Sequence, residues 1–187
     1  DGRPVPWETC QTFSGSWGYD RDESTWKSVP QLLAMLVETV SKGGNLLLNV
    51  GPTGRGTFDD RAMERLKGIG AWMDKNGRSI YSCTQAPAEF SKPANCLLTY
   101  NPEAGRLYVH VHEWPLGVLV LDGFAGRVEY AQLLQDASEV PFTEKGGETG
   151  FMAGSRGKEA ENALTLRLPV RKPDVEIPVI ELLLKKR

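Results

Sequence analysis

An α/β segment followed by an all-β segment is the fold class that the sequence predicts, and three observations predict it. Up to residue 85 the apolar residues recur first at helical spacing, then in one short unbroken run, then at helical spacing again. Past Tyr81 this rhythm gives way to short strand-like runs separated by Gly, Pro and Asn clusters. The composition, 40% hydrophobic and 25% charged with 20 glycines and 12 prolines, is that of a folded, turn-rich chain. At 187 residues there is room for two modest units, 1–85 and 86–187. A complete (β/α)8 barrel needs roughly 250.

The first helix is read from Val29, Leu32, Leu33, Leu36, Val37 and Val40, which fall on one face. Ser28 with Gln31 three residues later forms a capping-box pattern, Pro30 is tolerable in a first turn, and Lys42-Gly43-Gly44 supplies a stop. The run Asn45-Leu-Leu-Leu-Asn-Val50 follows at once. Six residues are too few for a buried helix, so it predicts a strand covered on both faces, as in parallel α/β structures. A second helix is expected from Thr57, with Asp59 and Asp60 near its positive end. Met63, Leu66, Ile69 and Met73 give it an apolar stripe, and Asn76-Gly77 ends it. Helix, strand, helix is a fragment of a βα-repeat fold.

Residues 97–100, 106–112, 118–121, 128–133, 163–168 and 179–184 read as strands, and together predict an antiparallel sandwich from about residue 86. In the second of these, Leu107, Val109 and Val111 alternate with Tyr108, His110 and His112, which predicts one buried face and two exposed histidines. Residues 143–161, rich in Gly, Glu and Lys, interrupt the pattern as a long loop or loose hairpin.

Several function classes are disfavoured. The 22 basic and 24 acidic side chains are interspersed and leave a net charge of −2, so nucleic acid is not an expected partner. No run approaches 18 apolar residues, so no membrane partner is expected either. Cys10, Cys83 and Cys96 have neither C-x-x-C nor His-paired spacing and predict free thiols rather than a disulfide framework or a zinc site. His110 and His112, without a nearby carboxylate, make a poor metal site. The start, Asp1-Gly-Arg-Pro, has neither a methionine nor a signal pattern, which suggests a chain cut from something longer. Nothing in the sequence speaks to localisation.

Chemistry is concentrated between Val5 and Tyr19, where Trp7, Trp17, Tyr19 and Phe13 lie beside a single carboxylate, Glu8. Flat apolar rings for C–H edges and an acid on a short element are how sugar sites are often made. Asp20, Asp22 and Glu23 read as solvated loop charges.

The strings Trp7-Glu-Thr-Cys10, Ser16-Trp-Gly-Tyr19, Val40-Ser-Lys-Gly-Gly-Asn-Leu-Leu-Leu-Asn-Val-Gly-Pro52, Ile69-Gly-Ala-Trp72 and Asn76-Gly-Arg-Ser-Ile-Tyr81 occur in consistent order and spacing. Over residues 5–81 the sequence resembles glycoside hydrolase family 29, the retaining α-L-fucosidases. The resemblance implies that residues 1–85 close a catalytic (β/α)8 barrel and that 86–187 form its C-terminal β-sandwich. It also implies hydrolysis of terminal α-L-fucosyl linkages without cofactor or metal.

Residue by residue, the resemblance matches Glu8 to a glutamate serving as acid/base in some members. At the C-terminal end of a barrel strand, beside Trp7, such an acid would keep its proton by desolvation. Trp17 matches the aromatic packed on the C5 methyl of fucose. Trp7, Tyr19 and Asn49, the last at the carboxyl end of the Leu-rich strand, complete the expected substrate contacts. Asn49 has a second reading, as the side chain that holds the following turn. The family's nucleophile is an aspartate on an earlier barrel strand, and no residue of this sequence matches it. The implied partners are a fucosylated glycan or glycoside and either a second copy of the chain or the missing part of the barrel. A non-catalytic carbohydrate-binding or assembly module is the alternative.

Overall fold

A computed structural model describes residues 5–144 and 162–186. Most of the loop expected over 143–161 therefore lies outside the described residues. The strands are β1 (Glu8–Thr12), β2 (Asn45–Asn49), β3 (Thr84–Gln85), β4 (Cys96–Asn101), β5 (Arg106–Val111), β6 (Val118–Asp122), β7 (Val128–Leu133), β8 (Phe142–Thr143), β9 (Ala163–Arg167) and β10 (Val179–Leu184). The helices are α1 (Val29–Ser41) and α2 (Asp60–Asn76).

In the α/β part, β1 and β2 pair in parallel, Glu8 opposite Asn45 through Thr12 opposite Asn49. α1 forms with both halves of its capping box, the Ser28 side chain accepting from the Gln31 N–H and the Gln31 side chain accepting from the Ser28 N–H. α2 starts later than Thr57. Asp59 is its N-cap, accepting from the Ala62 N–H at 3.1 Å, while the Thr57 hydroxyl is engaged with that of Thr53. It ends at Asn76, as expected, although not through a left-handed glycine. Gly77 keeps a right-handed φ of −56°, and the chain runs on into a 3-10 turn over Gly77–Ser79. The buried stripe of α2 runs through Ala62 and Trp72, flanked by Leu66, Ile69 and Met73, and leaves Met63 exposed.

The all-β part has two antiparallel sheets, ordered β3-β4-β5-β10-β7 and β6-β9-β8. Their facing side chains, including Leu98, Leu107, Val109, Leu121, Leu164, Leu166, Ile180 and Leu182, share one core. A second core lies on the outer face of the larger sheet, where Leu33 and Val37 of α1 and Trp72 of α2 meet Tyr108, Ile177 and Val179.

That second core overturns the one-sided reading of β5. With helices on its outer face, Tyr108 and His110 are as buried as Leu107 and Val109, and only His112 is exposed. His110 Nε2 lies 2.9 Å from Thr99 Oγ1, and its ring stacks on Trp72 at 6.3 Å. Burial, reinforced by the neighbouring His112, pushes its pKa down to about 3.

For β2 the difference runs the other way. Leu48 packs inward against Phe13, Leu32 and Ala62, but Leu47 is 51% exposed, so one face of this strand is open. The open face carries Cys10 and Leu47 side by side, in register.

Candidate active site

The two parallel strands end together at Thr12 and Asn49, and the segment after β1 folds back over that end. Asn49 Nδ2 donates to the Trp17 carbonyl at 2.6 Å and reaches Thr12 Oγ1 at 3.5 Å. The Thr12 hydroxyl donates to the Ser16 carbonyl at 3.0 Å. Lys27 Nζ crosses beneath and donates to the carbonyls of Thr12 and Ser14.

Glycine makes the fold-back possible at two points. A Cβ on Gly51 would lie 2.4 Å from the Gly18 carbonyl carbon, so the loop can settle on β2's exit only with no side chain there. At the other end of the strand pair a Cβ on Gly44 would lie 2.4 Å from the Trp7 ring. Gly44 and Gly51 of the Lys42-Gly-Gly-Asn-Leu-Leu-Leu-Asn-Val-Gly51 string are thus packing requirements of the two tryptophan segments.

With the backbone held, Trp17 and Tyr19 stay free, 58% and 42% exposed. Asn49 stands at the carboxyl end of β2, and its amide holds a turn. The turn is that of Trp17 rather than the one that follows β2.

Glu23 completes this cluster, and it is not the solvated loop charge expected. Its carboxylate accepts from the Thr25 N–H at 2.7 Å, the Thr25 hydroxyl at 2.6 Å and the Ser16 hydroxyl at 2.8 Å. The Thr25 donors, followed by Ser16, hold its pKa down at about 2. A serine and a threonine at a distance of 7 and 2 residues carry no sequence signature for this, which is why it was not legible. Asp20 and Asp22 do remain exposed loop charges, the latter paired with Arg21.

The loop is anchored from α2. Arg61 donates to the carbonyls of Glu23 at 2.9 Å and Asp20 at 3.4 Å while paired with Asp59 at the helix start. Its guanidinium lies 4.8 Å over the Trp26 ring.

Glu8 and Trp7 are elsewhere. Glu8 is the first residue of β1, not at its C-terminal end, and four residue steps at roughly 3.3 Å separate it from Thr12. It is exposed and pairs in register with Asn45. Trp7 does not desolvate it: its ring lies on Gly44 and its Nε1 donates to the Lys42 carbonyl at 3.2 Å. The structure therefore brings together Trp17, Tyr19, Asn49 and Glu23, and sets Trp7 and Glu8 at the opposite end.

The hollow bordered by Ser16, Tyr19, Glu23, Trp26 and Gly51 encloses about 10 Å³. Ligand pockets commonly measure about 300–1,000 Å³, so this rim by itself cannot enclose a sugar. Among the described residues no group of three or more His, Cys, Asp or Glu side chains is arranged to hold a metal ion.

The profile of the α-L-fucosidase family matches residues 1–78. The chain is 31% identical to an α-L-fucosidase of Dictyostelium discoideum across 93% of its own length and 36% of that protein's. It is 38% identical to the plasma α-L-fucosidase of Homo sapiens over 116 residues, 60% of this chain and 25% of that protein. Among solved structures, α-L-fucosidase isoenzyme 1 from Paenibacillus thiaminolyticus superposes with a TM-score of 0.85 at 36% identity, covering 99% of this chain and 41% of that one. The Thermotoga maritima α-fucosidase in complex with a mechanism-based inhibitor gives a TM-score of 0.76 at 28% identity, covering 97% and 40%. The chain thus spans between a quarter and about two fifths of the length of these relatives.

Proposed function

We propose, from the match of residues 1–78 to the α-L-fucosidase family, that the chain supplies the closing βα repeats and the C-terminal β-sandwich of a retaining exo-α-L-fucosidase. The observation that carries the reading is the exposed pair Trp17 and Tyr19, the former held through its carbonyl by Asn49 at the C-terminal ends of two parallel strands. That end of a (β/α)8 barrel is where catalytic groups gather. On this reading the open face of β1 and β2, with Cys10 and Leu47, lines the barrel interior, and the remaining strands close it from outside this chain.

Retention of configuration uses two carboxyl groups about 5–5.5 Å apart, one attacking C1 and one exchanging a proton with the leaving oxygen. The attacking aspartate belongs to the part of the enzyme outside this chain. For the second group we assign Glu23 in place of Glu8, because Glu23 borders the same hollow as Tyr19 and Glu8 stands at the other end of β1. Three donors keep Glu23 ionised, the form needed to deprotonate water in the second step. To act as the acid in the first step it must take up a proton when the substrate and the attacking aspartate enclose it, which desolvation and a neighbouring negative charge both favour. Trp17 then covers the C5 methyl of fucose.

The rival reading, a non-catalytic carbohydrate-binding or assembly module, is favoured for the isolated polypeptide by the hollow of about 10 Å³. Hydrolysis of a chromogenic α-L-fucoside separates the two. The full-length protein containing this sequence should turn it over with retention while the 187-residue chain alone does not. A full-length protein with no turnover would leave only the module reading.

A further inference from the structure

At the end of the two-sheet part, where the β4–β5 turn, the β6–β7 connection and the tail after β10 converge, lies a cavity of about 690 Å³. That volume falls within the range of small-molecule sites. Its walls are fixed by contacts that owe nothing to a ligand. The Phe90 ring packs 4.7 Å from Phe124, and the Arg127 guanidinium lies 5.2 Å over that same ring and 3.6 Å from the Glu89 carboxylate. The Lys185 N–H donates to the Arg127 carbonyl at 2.8 Å, tying the tail to the connection. Pro87 and Pro102 stiffen the rim.

Within these walls polar capacity is left over. Arg127 Nη1, buried, has the 3.6 Å ion pair with Glu89 but no hydrogen bond among the described residues. Tyr100, half-buried at the end of β4, packs against the core and has no hydrogen bond on its hydroxyl among the described residues. Glu103 and Lys186 reach the opening from opposite sides of the chain and are exposed.

We propose that this cavity is a second carbohydrate-binding site that takes a neutral oligosaccharide arm. A sugar hydroxyl both donates and accepts, so a lining that alternates carboxylates (Glu89, Glu103) with cations (Arg127, Lys186) matches a polyol. The Tyr100 ring offers an apolar face for C–H edges. An anionic ligand would meet the two carboxylates and a cationic one the basic groups. Preformed walls reduce the ordering cost of binding. Only the choice of a sugar as ligand rests on the fucosidase reading. The cavity is built from residues 87–186, and none of them comes from the β1–β2 rim.

The test is titration of the 187-residue chain with unfucosylated N-acetyllactosamine, followed by saturation-transfer NMR. Saturable binding on the order of 1 mM is expected. Tyr100→Phe and Glu103→Ala, both conservative for folding, should each weaken it severalfold, and Trp17→Ala should leave it unchanged. Three outcomes overturn the proposal: no saturable binding by the unmodified chain, binding abolished by Trp17→Ala and indifferent to Glu103→Ala, or a clear preference for 3′-sialyllactose over the neutral sugar. None of them touches the fucosidase reading, which stands or falls on fucoside hydrolysis by the full-length protein.

Discussion

Trp17 leaves 58% of its surface in solvent while its own carbonyl is held by Asn49, so its ring is available for contact rather than part of the core. In the complete enzyme Trp17→Ala should cost about ten- to two-hundredfold in kcat/KM on α-L-fucosides, the scale of discrimination at one apolar contact. A substrate identical except for the missing methyl should lose far less, and Tm should not move. Parallel losses on both sugars with a lowered Tm would return Trp17 to the core. Glu23→Gln should slow natural fucosides by roughly two to four orders of magnitude, as when a general acid is lost. Activated aryl fucosides, which leave without protonation, should be spared in the first step, and Glu8→Gln should show no such contrast. If Glu8→Gln gives the contrast and Glu23→Gln does not, the assignment reverses. The aromatic residues of this site were legible because Trp17 and Tyr19 sit in a distinctive string. The carboxylate proposed for it, Glu23, was not, because sequence proximity pointed to Glu8 beside Trp7, which strand direction carries away from the rim.

At the scale of elements, local signals were read well and tertiary ones were not. The Ser28 capping box fixes the start of α1 through atoms three residues apart, which a sequence displays directly. The burial of His110 depends on α1 and α2 lying across β5, a contact between segments far apart in sequence: the hydrogen bond from Trp72 to the Ile177 carbonyl alone spans 105 positions. Alternation along β5 could not reveal it. The consequence is a pH dependence with a definite sign. The folded pKa of His110 is depressed to about 3, so the unfolded chain, near 6.5, binds a proton that the folded chain refuses. Stability is therefore full above pH 6.5 and declines as the pH falls from there toward 3, by up to about 1.4 kcal/mol per pH unit. Between pH 7 and pH 5 the loss from this one group is roughly 2 kcal/mol. Denaturant midpoints should show it in the unmodified protein. His110→Gln, which has no proton to gain, should flatten that part of the profile, and an unchanged profile in the variant would remove His110 as its source.

For the molecule as a whole, the two parts differ in how completely they bury themselves. The core between the two antiparallel sheets is closed within this chain, with Leu107, Val109, Leu121, Leu164, Leu166, Ile180 and Leu182 fully buried. The strand pair β1–β2 is supported on one side only, by a small cluster around Phe13, Leu32 and Ala62. Its other face exposes Leu47 at 51% and Cys10 beside it, and each strand has one edge with no partner among the described residues. The run Asn45–Asn49 was legible as a strand because it is short and continuously apolar, and the same feature suggested a cover on both faces that this chain does not itself provide. An uncovered apolar face flanked by open strand edges is a template for association. The 187-residue chain on its own should therefore self-associate in reducing buffer, whereas on the proposed barrel reading the full-length protein should bury this face and stay apart. Leu47→Asn should reduce that association without lowering the melting temperature, because the residue removed contributes its side chain to solvent and not to a core. Static light scattering across a concentration series on both forms decides the matter. A monodisperse monomer for the unmodified chain, or association in which Leu47→Asn has no effect, would show that this face is not what draws the chains together.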